Sequence, residues 1–236
     1  MELNKTIYNL IYKKNFKRKD SKIILIDGIT CSGKSTLAKK ISNYLNKQKI
    51  PNSILSKDLF LKSRRHRIKL LKNKKKKFIN QNIEHYQIKK FKEVLSSITH
   101  GNKPDKIKFK NLYDRKTGLN NLNYIFVKQK NHLYIVEGIY VGNDINSNPN
   151  IISKILLYSD FYTSLIEKFK RIRDKKIGLE DVTYEYKDIH LKNFLNYLKK
   201  KPKFNFIINI NNKYPSSKKY TIKEYAKDIE AFINKH

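Results

Sequence analysis

An aliphatic run, Ile23-Ile24-Leu25-Ile26, leads through Asp27 into Gly28-Ile29-Thr30-Cys31-Ser32-Gly33-Lys34-Ser35, and a helical pattern begins at once with Thr36 and Leu37. The eight residues satisfy GxxxxGK[ST] in the setting its chemistry requires, a buried strand before the loop and a helix after it. Glycines let the backbone wrap closely around phosphate, loop N–H groups point inward, and the helix amino terminus adds a favourable dipole. The expected nucleotide-binding set is therefore Gly28, Thr30, Cys31, Ser32, Gly33, Lys34, Ser35 and Thr36. Lys34 would reach the β- and γ-phosphates and the Ser35 hydroxyl would ligate Mg2+, which makes ATP and Mg2+ the expected cofactors. Cys31 occupies one of the variable loop positions and reads as a small spacer, not as a nucleophile.

The rest of the chain alternates strand and helix signals. Ser53 to Ser56, Leu133 to Val136, Ile155 to Tyr158 and Phe204 to Ile210 read as further buried strands. Helices are expected over about Lys34–Gln48, Ile83–His100, Phe161–Lys175, Asp181–Lys200 and Thr221–Asn234. Such alternation implies a parallel sheet covered on both faces. Lys106 to Lys110 and Tyr124 to Lys128 alternate apolar and polar residues, as a small hairpin enclosing Tyr113 to Asn121 would. Leu3, Ile7, Leu10 and Ile11 fall at helical spacing, so residues 1–21 read as a helical extension before one main domain over 22–236.

The 236 residues carry 53 Lys+Arg against 20 Asp+Glu, a formal net charge of +33. Clustered cations ordinarily suggest nucleic acid or an anionic membrane. Here 46 of the 53 are Lys, and Lys, Asn and Ile together make up 104 residues. All three have codons made only of A and T, so a biased genome can supply much of this excess. Weak, nonspecific nucleic-acid binding is the expectation, and the run Lys74 to Lys77 adds only a weak patch signal. The lone Cys31 allows no intrachain disulfide, consistent with a reducing compartment. No aliphatic run approaches the roughly 18 residues needed to span a bilayer, and residues 1–15 lack a signal peptide's continuous apolar segment. A cytoplasmic protein without membrane contact is expected. None of the six His residues pairs with a second His or Cys at a ligand spacing, so no zinc site is indicated.

Phosphoryl transfer to an acceptor hydroxyl needs a group to take its proton, a metal, and cations to spread charge over the transferring oxygens. Asp58 follows the second strand, at the end of the sheet where parallel-sheet proteins bind ligands, and is the candidate base; the alternative is a helix cap. Glu137 ends the third major strand and could hold the Mg2+ shell, or bond to a neighbouring loop. Arg173, with Lys170 and Arg171, could close over the γ-phosphate as a lid cation, or lie on an exposed basic face. Arg64 to Arg67 could hold an anionic group on the substrate, or be solvated.

Asp58-Leu59-Phe60-Leu61-Lys62, Tyr113-Asp114, Val136-Glu137-Gly138, Asp160 and Lys170-Arg171-Ile172-Arg173-Asp174 follow one another in an order that resembles the uridine kinase and phosphoribulokinase family of P-loop kinases. The similarity runs from about residue 22 to 212. It implies a three-layer α/β P-loop NTPase fold with a parallel sheet, a flap insert over about 101–132 and a lid helix near 170–180. It also implies substrate contacts by Asp58, Phe60, Tyr113, Asp114 and Glu137, with Phe60 matching an aromatic position beside the sugar or base; either aromatic could instead be core. In the pyrimidine kinases of this family a His after the Tyr-Asp segment contacts the base, whereas the corresponding place here is near Gly118, with no His close by. The arginines usual after Arg-Asp are replaced by Lys175, Lys176 and Gly178. The expected activity is ATP- and Mg-dependent transfer of the γ-phosphate to a hydroxyl of a small molecule, most plainly a nucleoside. Two alternatives stand beside it: a P-loop kinase acting on a nucleic-acid end or charged tRNA, and a nucleic-acid-binding module with a residual nucleotide site.

Overall fold

Every residue of β1 (Lys22–Gly28) is buried, as its unbroken aliphatic run requires of a strand covered on both faces. The computed structural model describes residues 22–72, 84–99, 105–128, 132–144, 150–171, 179–200, 202–209 and 221–235. After β1 come α1 (Lys34–Lys47), β2 (Asn52–Ser56), a single 3-10 turn (Lys57–Phe60), α2 (Arg64–Lys72) and α3 (Ile88–Thr99). The antiparallel hairpin β3 (Asp105–Leu112) and β4 (Leu122–Lys128) is followed by β5 (Leu133–Glu137), the short α4 (Val141–Asp144), β6 (Ile151–Tyr158) and α5 (Phe161–Arg171). A continuous helical stretch runs through α6 (Leu179–Tyr184), a π-helical segment (Glu185–Leu191) and α7 (Lys192–Lys199). Strand β7 (Phe206–Asn209) and α8 (Ile222–Lys235) complete the fold.

The main sheet has the order β2-β5-β1-β6-β7, and all of its pairs are parallel. One face packs on α1 through Ile24, Ile26, Leu37, Ala38, Ile41 and Leu45. The other carries two clusters. Ile23, Leu25 and Val136 meet α3 and the hairpin, while Leu156 meets Tyr186, Phe194 and Tyr225 from the carboxyl-terminal helices. The fold class and the parallel sheet therefore match the sequence expectation, as does the hairpin enclosing Tyr113 to Asn121.

Three boundaries differ from the sequence reading. Helix α3 starts at Ile88, not Ile83, because Tyr86 bridges Leu61 in an extended pairing and the Gln87 N–H donates to Phe60 O. Within the basic stretch over 62–80, where charge hides any apolar period, Arg64–Lys72 forms α2 and residues 73–80 lie outside the described residues. Strand β6 begins at Ile151, four residues before the aliphatic run, because its first part pairs with β1. The expected amino-terminal helix, Lys74 to Lys77 and Arg173 lie outside the described residues.

Register places the chemistry. Glu137 stands opposite both Ile26 of β1 and Ser56 of β2, so the carboxyl ends of three neighbouring strands open onto one crevice. The chain leaves β1 toward β2 on one side and leaves the adjacent β6 toward β7 on the other, the reversal that creates a ligand crevice outside the strand ends.

Candidate active site

The phosphate loop spans the gap between β1 and α1. Gly28 is required by close approach, since a Cβ there would lie 2.7 Å from Ser32 Oγ and 3.0 Å from Leu157 O. Gly33 caps α1 in the left-handed region (φ 81°, ψ 10°), where a side chain would strain the backbone. Cys31 also lies in the left-handed region (φ 60°), consistent with a loop position chosen for backbone shape, not thiol chemistry. Lys34 is only 8% exposed; its Nζ donates to Ile29 O at 2.5 Å and to Ser32 Oγ at 3.4 Å, which keeps the ammonium inside the loop. Burial lowers the Lys34 pKa, and the carboxylates of Glu137, Asp58 and Asp27 oppose that shift.

Glu137 is 4% exposed and accepts a hydrogen bond from Ser35 Oγ at 3.2 Å. Burial raises its pKa, as does the nearby Asp58 carboxylate, while Lys34, Ser56 and Ser35 act the other way. Two hard oxygen donors thus stand side by side at the mouth of the loop, a donor set suited to Mg2+. Among the described residues no group of three or more His, Cys, Asp or Glu side chains stands together as a metal-binding cluster.

Asp58 lies in the 3-10 turn after β2, where its own N–H donates to Ser56 Oγ at 3.3 Å. The turn sorts its residues by side: Lys57 and Phe60 are fully buried, and Asp58 faces the crevice. Arg115 Nη2 donates to Asp58 Oδ2 at 2.7 Å, and the Tyr86 hydroxyl donates to Oδ1 at 3.4 Å. Phe60 packs in the core against Phe91, with ring centroids 5.1 Å apart, and presents no free face to a ligand. Its expected place beside a sugar or base is therefore corrected to a core position beneath the acceptor side.

Tyr113 is nearly buried; its N–H donates to Leu59 O, and Arg67 donates to its hydroxyl at 2.8 Å while lying over the ring at 5.0 Å. Asp114 shapes the turn of the flap. It accepts from the Lys116 N–H at 2.8 Å and from Thr117 Oγ1 at 3.1 Å, bonds that hold its pKa below the ordinary carboxylate range. Asp58 and Glu137 thus stand near enough to Lys34 for their charges to act on it, Tyr113 is fixed beside the 3-10 turn by Leu59 and Arg67, and Asp114 shapes the turn that carries Arg115.

Sequence reasoning passed over four residues here. Asp27 is fully buried and accepts from the N–H groups of Gly28, Tyr140 and Gly142 and from the Tyr197 hydroxyl, so it clasps the segment after β5 and helix α7 to the loop. Burial raises its pKa against those hydrogen bonds. Lys57 Nζ donates to Ile139 O at 2.8 Å and lies 4.6 Å over the Tyr86 ring. On α5, Lys170 pairs with Glu167 on the exposed face and Arg171 is exposed, whereas Lys168 points inward and is paired with Glu185 at 2.8 Å. His190 contacts both members of that pair. The visible signal for Lys168 was its place on the buried stripe with Phe161 and Ser164.

Residues 22–96 match the family described as Chromatin associated protein KTI12. No curated protein matches the sequence. Among solved structures, a possible uridine kinase from Bacillus stearothermophilus is 15% identical at a TM-score of 0.56, over 88% of this chain and 99% of its own. D-glycerate 3-kinase from Cryptococcus neoformans is 11% identical at a TM-score of 0.57, over 93% and 98%. Phosphoribulokinase from Rhodobacter spheroides is 12% identical at 0.53, over 81% and 71%. At these identities the likeness concerns architecture: the chain shares the fold of these structures, a parallel sheet with helices on both faces.

Proposed function

We propose that the protein is an ATP- and Mg2+-dependent kinase that transfers the γ-phosphoryl group to a hydroxyl of a small molecule, a nucleoside or related sugar. The observation that carries this reading is the opposition of two groups across one crevice: the Lys34 and Ser35 side of the loop after β1, and the Asp58 carboxylate in the turn after β2, with Glu137 at the end of β5 between them. The acceptor oxygen attacks the γ-phosphorus, its proton passes to Asp58, and the bond to the β–γ bridging oxygen breaks to release ADP. Ser35 and Glu137 would hold Mg2+, which screens charge on the phosphate oxygens when bound. Lys34 binds and orients the phosphates, and Tyr113 borders the acceptor. Arg64 covers Gly118, where a Cβ would lie 3.0 Å from its Cζ, so the region expected to lack a base-reading His is filled by a guanidinium.

A screen with purified protein and labelled ATP over nucleosides, sugars, sugar phosphates and RNA tests this reading, with Lys34→Ala as the control. Transfer to a small acceptor, lost in a folded Lys34→Ala protein, is the expected result. Phosphotransfer unchanged by Lys34→Ala, or no transfer to any acceptor, overturns it.

A second reading is a kinase acting on a nucleic-acid end or charged tRNA, favoured by the match of residues 22–96 to a chromatin-associated family and by the net charge of +33. A nonspecific binder making six to ten phosphate contacts loses roughly 10³- to 10⁵-fold in affinity between 50 and 200 mM salt. Weak binding that disappears near physiological salt favours the small-molecule kinase. Tight binding that persists, with RNA as the phosphorylated acceptor, favours the second reading; persistence without any phosphotransfer points to a binding module with a residual nucleotide site.

A further inference from the structure

Cations in this chain are overwhelmingly Lys, 46 of 53, so the few arginines stand against the compositional trend. Arg64, Arg65, Arg67 and Arg115, four of the seven, lie on α2 and on the flap turn that faces it. Three are held in place by bonds that leave guanidinium donors over. Arg67 donates through Nε to Lys62 O at 3.1 Å and through Nη2 to the Tyr113 hydroxyl at 2.8 Å. Arg64 donates to Arg115 O at 3.3 Å, tying α2 to the flap turn. Arg115 reaches back to Asp58 Oδ2 at 2.7 Å through a single nitrogen. A planar guanidinium fork suits phosphate and carboxylate better than a Lys ammonium does, because it can donate two parallel bonds.

The Arg115–Asp58 contact opposes the role given to Asp58. Arg115 Nη2 occupies Oδ2, one of the two oxygens the acceptor hydroxyl would use, so the hydroxyl cannot bond there while the contact lasts. The pair is also easily opened, since the Arg115 side chain is 69% exposed and Asp58 31% exposed, and exposed pairs are weak. We propose that Arg115 is a specificity-determining latch. The acceptor carries a phosphate or carboxylate group that draws the Arg115 guanidinium from Asp58, beside Arg64 and Arg67, and thereby frees the base only when an anionic acceptor is bound. This deepens the kinase reading, rests on Asp58 as the base, and narrows the acceptor from a neutral nucleoside to a phosphorylated or acidic sugar. No covalent step is added: the anion and Arg115 exchange an ion pair, and the proton still passes from the acceptor hydroxyl to Asp58.

The test uses matched acceptors, ribose with ribose 5-phosphate and glycerol with glycerate, on wild type, Arg115→Ala and Arg115→Lys. Arg115 is exposed enough for these changes to leave the fold intact. The anionic member should lead by about 10-fold or more in kcat/KM, the scale of a lost charged hydrogen bond. Arg115→Ala should bring the two members to within about twofold by raising the neutral and lowering the anionic rate, with Arg115→Lys between. A neutral acceptor preferred by wild type, or both rates lowered equally by Arg115→Ala, overturns the latch while leaving the kinase reading standing. A protein that binds ATP and phosphorylates no acceptor of the wider screen tells against the kinase reading, and the latch is then decided by inorganic phosphate titrated calorimetrically. Phosphate binding that survives Lys34→Ala and weakens about 10-fold in Arg115→Ala supports the latch; phosphate binding lost with Lys34→Ala and indifferent to Arg115→Ala overturns it.

Discussion

The Ser35 hydroxyl donates to Glu137 Oε1 at 3.2 Å, joining the first turn of α1 to the end of β5 across the mouth of the phosphate loop. If both oxygens serve one cation, Ser35→Ala and Glu137→Gln should each raise the Mg2+ needed for half-maximal activity by roughly 10- to 100-fold. The double variant should exceed the worse single by only a few-fold, because residues that act on one ion are not additive. Mg2+ titrations of the three variants check this, and full additivity would separate the two roles.

Asp58→Asn keeps the shape of the side chain and removes its capacity to take a proton. The transfer rate should fall by roughly 10² or more, the scale of general-base loss. ATP affinity measured by calorimetry should stay close to wild type, since the Lys34 and Ser35 side of the site is untouched. Loss of ATP binding with acceptor binding retained would move Asp58 to the donor side.

Tyr197→Phe removes one of the four donors around the buried Asp27 carboxylate. An unmet bond at a buried charged group costs about 1–3 kcal/mol, so the urea midpoint should drop with an unchanged slope. Asp27→Asn is the informative companion, because it relieves the buried charge while leaving an amide that can accept from only one side.

His85 is buried, and burial, then the neighbouring His190 and Arg67, hold its imidazole neutral down to a pKa of about 3. The folded protein therefore binds fewer protons than the unfolded chain between about 3 and 6.5. The stability contributed by neutral His85 is fully present above the unfolded value and is lost as pH falls toward 3. At pH 5 the loss amounts to about 2 kcal/mol, since each pH unit between the two values is worth 1.36 kcal/mol. Urea midpoints of wild type and His85→Gln at pH 7 and 5 should differ in their pH dependence by that amount. Equal acid sensitivity in the two proteins would place the effect elsewhere.

The strand, loop and helix around Lys34 were legible in the sequence because hydrophobic period and glycine placement change together within a dozen residues. Asp58 and Glu137 were legible as polar residues ending aliphatic runs. For Phe60 the resemblance offered a place beside the sugar or base and residue type offered the core equally; the 3-10 turn, which sends positions 57 and 60 inward, gives it the core. Asp27 was visible by type, but its partners Tyr140, Gly142 and Tyr197 lie more than a hundred residues away, and nothing local announces them. The start of α3 was misplaced for a similar reason: the pairing of Tyr86 with Leu61 is a long-range contact that overrides a local helical pattern.

The central place of β1 bears on how the chain is made. Its two neighbours, β5 and β6, are not complete until residue 158. At translation speeds of about 5–20 residues per second, the interval between the end of β1 and the end of β6 is roughly 6 to 26 s. For the first roughly 5 to 22 s of it, until β5 is complete at residue 137, Ile23 to Ile26 are without either partner strand, an uncharged aliphatic segment of the kind that chaperones hold and that aggregates when they do not. Synonymous codon changes that slow translation between β1 and β6 should therefore lower the soluble yield more than equal slowing after β7.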